Sequence, residues 1–143
     1  METENLIASA EVNIEAPISK VWDALVNPEI IKQYMFGATV TSNWTEGSPI
    51  TWKGEWEGKP YEDKGRILRF VPESKLHYTH YSSLSGPDSP ENYHTVTIDL
   101  YEIENKTVVF LTQDHNNTID ERLHSEKNWS MMLSSLKELL EKK

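Results

Sequence analysis

The stretch Ile119–Glu141 has the sequence IDERLHSEKNWSMMLSSLKELLE, and this stretch decides the fold. At 100° per residue, its larger apolar side chains fall on one side of a helix; they are Trp129, Met132, Leu133, Leu136, Leu139 and Leu140. Thr118 is the predicted N-cap, and Glu121 completes a capping box with it. At 1.5 Å per residue the helix would be roughly 34 Å long, close to the width of a small domain. The pattern therefore predicts a long terminal helix that covers the rest of the domain.

The first half of this helix differs from the second half. The apolar stripe is continuous only from Trp129 onward, and before it the same face carries Arg122, Ser125 and, at its edge, Glu126. A buried guanidinium costs free energy unless it is paired or solvated. We therefore expect the first half to close a cavity, where Arg122 meets a carboxylate, lines a wet entrance or contacts an anionic ligand group. The alternative is that Arg122 is exposed.

The residues before this helix predict two short helices and a series of strands. Residues 5–14 alternate as a strand does, and Pro17 and Asn27-Pro28 lie where short helices begin. From residue 38 to residue 114, alternating runs are separated by turns such as Gly47-Ser48-Pro49. The predicted order is β-α-α, six further strands and the long helix.

This order predicts the fold class. Successive strands joined by short turns form an antiparallel sheet, and a twisted sheet needs one of its faces covered. Only the terminal helix is long enough to cover it. We predict an α+β fold, in which a curved antiparallel sheet carries the long C-terminal helix across its concave face. The length of 143 residues predicts a single domain over 1–143.

The composition excludes several classes of protein. A net charge of −9 and a pI near 5.0 disfavour a nucleic-acid partner, because phosphates repel an acidic surface. No apolar run is long enough to span a bilayer and Met1–Ala10 has no signal-peptide pattern, so we expect a cytoplasmic location. The chain has no cysteine, which excludes thiolate chemistry. We expect a monomer.

The histidines are the main candidates for catalysis or metal binding, and they are His77, His80, His94, His115 and His124. His77 and His80 point to opposite faces of a predicted strand, and His94 and His115 would meet only through tertiary packing. We therefore predict no metal, no cofactor and ordinary surface histidines. His80 is the one plausible general base, and we favour a hydrogen-bonding role for it at a pocket rim. Carboxylates such as Asp99 fall opposite the apolar face, where we expect them in solvent.

Aromatic side chains are concentrated on the predicted inner faces. Trp52, Trp56 and Tyr78 share strand faces with apolar residues, and Trp129 lies on the matching helix face. These rings either fill the core or line an apolar cavity whose few polar groups orient a ligand. The predicted ligand-binding residues are Trp52, Trp56, Tyr78, His80, Gln113, Arg122 and Trp129. The polar loop Ser82–Glu91 is a candidate gate.

Residues 16–36, with the sequence APISKVWDALVNPEIIKQYMF, resemble the opening of START-like (SRPBCC) helix-grip domains. The closer resemblance is to the branch related to the C-terminal domain of the activator of the ninety-kilodalton heat-shock protein ATPase. Further matching stretches are Gly47–Trp52, Gly65–Leu68 with Pro72 and Leu76 after it, and Asn128-Trp129 leading into Leu133, Leu136 and Leu140. The resemblance extends from about residue 7 to residue 141 and implies a helix-grip fold.

The resemblance implies several activities, because lipid carriers, hormone receptors, polyketide cyclases, allergens and cochaperones share this fold. Our leading hypothesis is non-enzymatic binding of a small, mostly apolar molecule (lipid-, flavonoid- or polyketide-like) between sheet and terminal helix. The second is a cochaperone-like module for protein interaction in the stress response. The eukaryotic activators carry an additional N-terminal domain that this chain lacks, so we do not expect it to stimulate a chaperone ATPase. The third hypothesis is a cyclase- or hydrolase-like enzyme that uses His80.

Overall fold

The predicted order of elements is confirmed by a computed structural model, which describes residues 6–35, 37–56, 58–82, 87–89, 92–116 and 118–141. The elements are β1 Leu6–Ile14, α1 Ile18–Val26, α2 Pro28–Tyr34, β2 Thr39–Ser42, β3 Pro49–Trp56, β4 Lys59–Val71, β5 Lys75–Tyr81, β6 Tyr93–Ile103, β7 Lys106–Asn116 and α3 Ile119–Glu141.

The helices α2 and α3 begin where the sequence predicts. The side chain of Asn27 accepts a hydrogen bond from the Glu29 N–H at 3.1 Å, and Pro28 follows as the first helical residue. The Thr118 hydroxyl accepts from the Glu121 N–H at 3.0 Å. Each contact satisfies one of the backbone donors that a helix start leaves unpaired, so both predicted N-caps are confirmed.

The strands form one antiparallel sheet in the order β1-β7-β6-β5-β4-β3-β2. Its concave face is apolar because alternate residues of each strand point inward; in β6 these are Val96, Ile98 and Leu100. The register shifts between Ile67 and Arg69 in the pairing of β4 with β5, and irregularities of this kind bend a sheet. The curved sheet and the long terminal helix confirm the predicted fold class.

Helix α3 covers the outer edge of β1 with three charged side chains. Glu126 Oε2 accepts from the Ser9 N–H at 3.0 Å, and Glu141 Oε2 accepts from the Glu15 N–H at 2.8 Å. Between them, Lys137 Nζ donates to the Asn13 carbonyl oxygen at 2.7 Å. An edge strand otherwise leaves such backbone groups open to pairing with another chain. We call the contacts of these three α3 side chains the helix–edge clamp.

Replacing Gly65 with alanine should destabilise the sheet strongly. A Cβ at Gly65 would lie 1.6 Å from the Thr79 carbonyl oxygen of β5, so backbone would have to move. We expect Gly65→Ala to lower the free energy of unfolding by about 3 kcal/mol or more in urea titrations. Gly54→Ala is the control, because its Cβ would meet only the Tyr61 side chain and should cost much less. If the two variants lose the same unfolding free energy, the close approach of Gly65 to β5 is not the cause of the loss.

The helix–edge clamp should weaken in acid. The pKa of Glu141 lies below its ordinary value because the carboxylate accepts the Glu15 N–H and a hydrogen bond from Lys137. Such a carboxylate stabilises the fold above its unfolded pKa of about 4.3, and the stabilisation is lost as the pH falls through the folded pKa. Glu141→Gln should therefore flatten the dependence of unfolding free energy on pH in this acidic range. Glu138 lies at an exposed position of α3 and serves as the control. If Glu138→Gln flattens the pH dependence of the unfolding free energy equally, the acid-sensitive stability does not come from Glu141.

Candidate functional site

An apolar cavity of about 30 Å³ lies between α2, the sheet and the second half of α3. Its lining residues are Leu25, Ile31, Tyr34, Met35, Val40, Trp44, Ile50, Trp52, Leu76, Tyr78, Ile98 and Met132. This volume holds about one or two water molecules, whereas sites for drug-sized ligands measure about 300–1,000 Å³. The cavity is therefore a nearly filled space in the core, with rings on several of its sides.

Among the predicted site residues whose side chains the structure describes, Trp52 and Tyr78 line this cavity. Their ring centroids are 5.3 Å apart, and both side chains are buried. They meet because β3 and β5 flank β4, where Trp52 pairs with Asp63 and Tyr78 pairs with Ile67.

Helix α3 reaches this cavity through Met132, which differs from the expectation that its first half would close one. The first half is instead tied to β7. Ser125 Oγ donates to Asn116 Oδ1 at 3.2 Å, and Trp129 Nε1 donates to Gln113 Oε1. Ser125 and Glu126, two of the three polar residues that interrupt the apolar stripe, thus have partners on the sheet.

Gln113 is buried on the concave face of β7. Because an indole N–H can only donate, its contact with Trp129 fixes the orientation of the Gln113 amide: the oxygen faces the indole, and the amide nitrogen is directed elsewhere. Two predicted site residues are therefore joined by one hydrogen bond, one helical turn before Met132.

Arg122 is partly buried, and its Nε is buried without an acceptor. Within the described part of the chain no carboxylate pairs with its guanidinium, so the expected ion pair is not found there. A guanidinium carries five N–H donors and no acceptor. The side chain thus lies at the beginning of α3 as a cation with unused donors.

His80 is held by a carboxylate that sequence analysis did not single out. Its Nε2 lies 3.2 Å from Asp63 Oδ2, and its ring lies 5.0 Å from the Trp52 ring. The sequence does not distinguish Asp63 from the charged residues around it. Only the pairing of β3 with β4 shows that Asp63 lies opposite Trp52. The side chain of His80 is 24% exposed, and its contact with Asp63 agrees with the hydrogen-bonding role that we favour for it. Its position at a pocket rim stays a prediction.

A second histidine–carboxylate pair lies on the convex face. His77 Nε2 is 2.9 Å from Asp99 Oδ1, and Lys75 Nζ lies 3.3 Å from the same oxygen. The Asp99 side chain is only 18% exposed, which corrects the expectation that solvent surrounds it. The two faces carry separate pairs because His77 and His80 point in opposite directions, as the strand periodicity predicts.

His94 and His115 do meet, with ring centroids 6.5 Å apart. The Nδ1–H of His94 donates to the Asp114 carbonyl oxygen at 2.9 Å, because a carbonyl can only accept. Among the residues that the structure describes, no three histidine or carboxylate side chains are grouped closely enough to hold a metal ion. In the same part of the chain, no helix combines the length and apolar character needed to cross a membrane.

The side chain of Trp56 and most of the loop Ser82–Glu91 lie outside the described residues, so their assignment to the site stays a prediction. One described loop residue is anchored on both flanking strands. Asp88 forms an ion pair with Lys64 of β4 and accepts from the Tyr93 hydroxyl of β6 at 2.7 Å. These hydrogen bonds from Lys64 and Tyr93 lower the pKa of Asp88 below its ordinary value.

An antiparallel sheet that holds a long terminal helix over an apolar cavity defines a helix-grip domain. The family described as "Activator of Hsp90 ATPase homolog 1-like protein" matches residues 15–141, and the chain belongs to this family. No curated protein shows significant sequence similarity to the chain.

Solved structures show the same fold. The solution structure of ChR145 from Cytophaga hutchinsonii is 59% identical, with a TM-score of 0.86, and the match covers 99% of this chain and 97% of ChR145. The Aha1 dimer from Colwellia psychrerythraea is 23% identical, with a TM-score of 0.72 and coverages of 95% and 96%. DynU16, from the dynemicin biosynthetic locus, is 16% identical with a TM-score of 0.82, and the match covers 97% of this chain but 48% of DynU16.

The hydrogen bond between Trp129 and Gln113 should contribute to stability. Trp129→Phe leaves the Gln113 oxygen unpaired, and Gln113→Leu leaves the indole N–H unpaired; each should cost about 1–3 kcal/mol. The double variant leaves neither group unpaired. Its loss of unfolding free energy should therefore be smaller, by about 1 kcal/mol, than the sum of the losses in the two single variants. Urea unfolding of the four proteins measures this coupling. If the losses of unfolding free energy in the two single variants simply add in the double variant, the hydrogen bond does not contribute to stability.

Proposed function

We propose that the chain binds a small, mostly apolar molecule of the lipid, flavonoid or polyketide type between the sheet and the helices, without transforming it. The observation that carries this proposal is the ring-lined apolar cavity around Trp52 and Tyr78. Apolar walls with a few polar groups are the usual composition of a small-molecule site.

The lining supports binding rather than catalysis. Among the residues that the structure describes, the lining contains no histidine, carboxylate, lysine or arginine, so none of them borders the cavity as a general base. A cyclase or hydrolase would need His80 to reach a bound molecule, but its imidazole is held at Asp63 and lies outside the lining.

A ligand larger than a few atoms requires the cavity to widen. Two of the lining residues are Met35 and Met132, and unbranched methionine side chains change shape at low cost. Trp44, also in the lining, is partly exposed and has a φ of 56°, in the left-handed region that large residues rarely adopt. Because such backbone strain is often found at binding sites, we assign Trp44 and Met35 to the entrance.

A protein-interaction module is the second candidate, and the volume of about 30 Å³ favours it. A nearly filled core needs no ligand, and the family takes its description from an activator of a chaperone ATPase. Mixing the purified chain with a ninety-kilodalton chaperone tests this function. A complex in gel filtration together with a faster ATPase would support this function. The absence of both effects would contradict it.

Changing the volume of the cavity should change ligand affinity in a predictable direction. Met132→Ala widens the cavity and should strengthen binding about tenfold, while lowering the unfolding free energy by about 2–5 kcal/mol. Val40→Ile fills the cavity and should weaken binding. Met131→Ala is the matched control, because Met131 is exposed on α3 and should change neither quantity.

Naphthalene, dodecanoate and flavanone serve as ligands, and ¹H–¹⁵N chemical shifts report the site. We expect chemical-shift changes at the residues that line the cavity. The affinity for these ligands should be highest for Met132→Ala, intermediate for the parent chain and lowest for Val40→Ile. Shifts confined to the convex face, or no binding by either the parent chain or Met132→Ala, would refute the proposed function.

A further inference from the structure

The face of α3 that points away from the sheet carries both apolar and short side chains. Ile119, Leu123 and Met131 are each at least half exposed. Beside Met131 the helix surface forms an open groove, lined by Lys127, Ser130, Met131, Ser134 and Ser135. A long side chain next to short ones makes a ridge and a groove, and the ridges of one helix pack into the grooves of another. This face therefore has the shape of a helix-packing surface.

The groove lies between two exposed side chains of opposite charge. Lys127 and Glu138 are eleven residues apart, which is about three helical turns, so both lie on the same side of α3. Neither forms an ion pair with any residue that the structure describes. The surface thus has a positive charge at one end, a negative charge at the other end and the Met131 ridge between them.

A second α3 fits this surface in the antiparallel orientation. In a parallel pair related by a two-fold axis, each residue meets its own copy, so like charges would face each other at both ends. In an antiparallel pair, an axis midway between residues 132 and 133 brings opposite charges together. The residue pairs that this axis places face to face are Lys127 with Glu138, Met131 with Ser134, and Ser130 with Ser135. Because these pairs share one axis, the surface is complementary to itself.

A second antiparallel register would set Lys127 against Asp120 and centre the contact near Leu123. That contact would leave the groove beside Met131 empty. It would also use a carboxylate in the first turn of α3, whose charge already interacts with the positive end of the helix dipole. The groove and the charges together favour the register in which Lys127 meets Glu138.

We propose that α3 binds α3 of a second copy of the chain in an antiparallel pair, with Met131 of each copy in the groove of the other. This inference concerns the outer face of the helix and does not depend on ligand binding in the cavity. It replaces the monomer expected from the sequence with an equilibrium between monomer and dimer. Two crossing helices bury less surface than the roughly 1,200–2,000 Å² of a stable interface, and each copy carries a net charge of −9. The dimer should therefore be weak, with a dissociation constant on the order of 100 µM.

Charge reversal tests the pairing. Sedimentation velocity of the full chain, between about 10 µM and about 1 mM, measures the dissociation constant in roughly 0.15 M salt, which screens charges more than about 8 Å apart. Lys127→Glu and Glu138→Lys each turn both ion pairs into like charges, so each should weaken dimerisation about tenfold or more. A one-to-one mixture of the two variants restores opposite charges in both pairs. The mixed dimer should therefore have a dissociation constant within about threefold of the parent chain's.

The net charge of the chain provides a control. Glu138→Lys makes the chain less acidic, so repulsion between whole molecules predicts stronger dimerisation, whereas loss of the ion pairs predicts weaker dimerisation. Glu55→Lys makes the same change of charge at an exposed position of β3 and should not weaken dimerisation. If Glu55→Lys weakens dimerisation as much as Glu138→Lys does, the contact does not lie on α3.

The apolar ridge has a control that is matched in exposure. Met131 is 51% exposed and Leu123 is 50% exposed, and both belong to α3. Met131→Ala removes the side chain that fills each groove and should weaken dimerisation about tenfold. Leu123 lies outside the proposed contact, so Leu123→Ala should leave the dissociation constant unchanged. The opposite ranking would place the contact near Leu123 and overturn the proposed register.

Two further results would overturn the dimer itself or its ion pairs. A parent chain that stays monomeric at about 1 mM would overturn the dimer. Failure of the mixture of Lys127→Glu and Glu138→Lys to restore dimerisation would overturn the antiparallel pairing of these charges. None of the substituted residues lines the cavity, so these results do not bear on the binding of a small molecule there.

Discussion

The attachment of α3 to the edge of β1 is the constraint on which the rest of the structure depends. Leu133 and Leu136 of α3 are almost completely buried, and they stay so only while the helix is held against the sheet. The helix–edge clamp supplies directional contacts on one side of this apolar interface. Glu126 and Lys137 bond backbone atoms of β1, and Glu141 bonds the N–H of Glu15, which directly follows β1. These contacts fix both the position of the helix along the strand and its distance from the strand.

That position determines where the cavity lies. With the first half of α3 bonded to β1 and β7, the helix presents Met132 to the space beside Trp52 and Tyr78. Helix α2 completes the enclosure with Ile31 and Tyr34. Ser125 and Glu126, which the sequence analysis placed beside a cavity, therefore bond to the sheet and align the helix. The small cavity lies further along α3, beside Met132.

Much of this architecture could be predicted from the sequence, because it follows from local signals. The long helix has a 3.6-residue apolar period, and Thr118 and Asn27 mark helix starts that need no tertiary information. The candidate site was less predictable. That His80 contacts Asp63 depends on the register of β4, which contains an irregularity, and the volume beside Met132 depends on side-chain packing. Neither the contact between His80 and Asp63 nor the volume of the cavity produces a pattern in the sequence.

The pairing of β1 also has a consequence for how the chain folds. Ser9 and its partner Glu126 are 117 residues apart, and β1 pairs with β7 over a similar separation. Such non-local pairing slows folding, because loop-closure entropy is lost before the contacts form. At translation rates of about 5–20 residues per second, β1 waits roughly 6–23 s on the ribosome before α3 emerges. During that time the edge of β1 is unprotected, and an unpaired strand edge is open to mispairing with another chain.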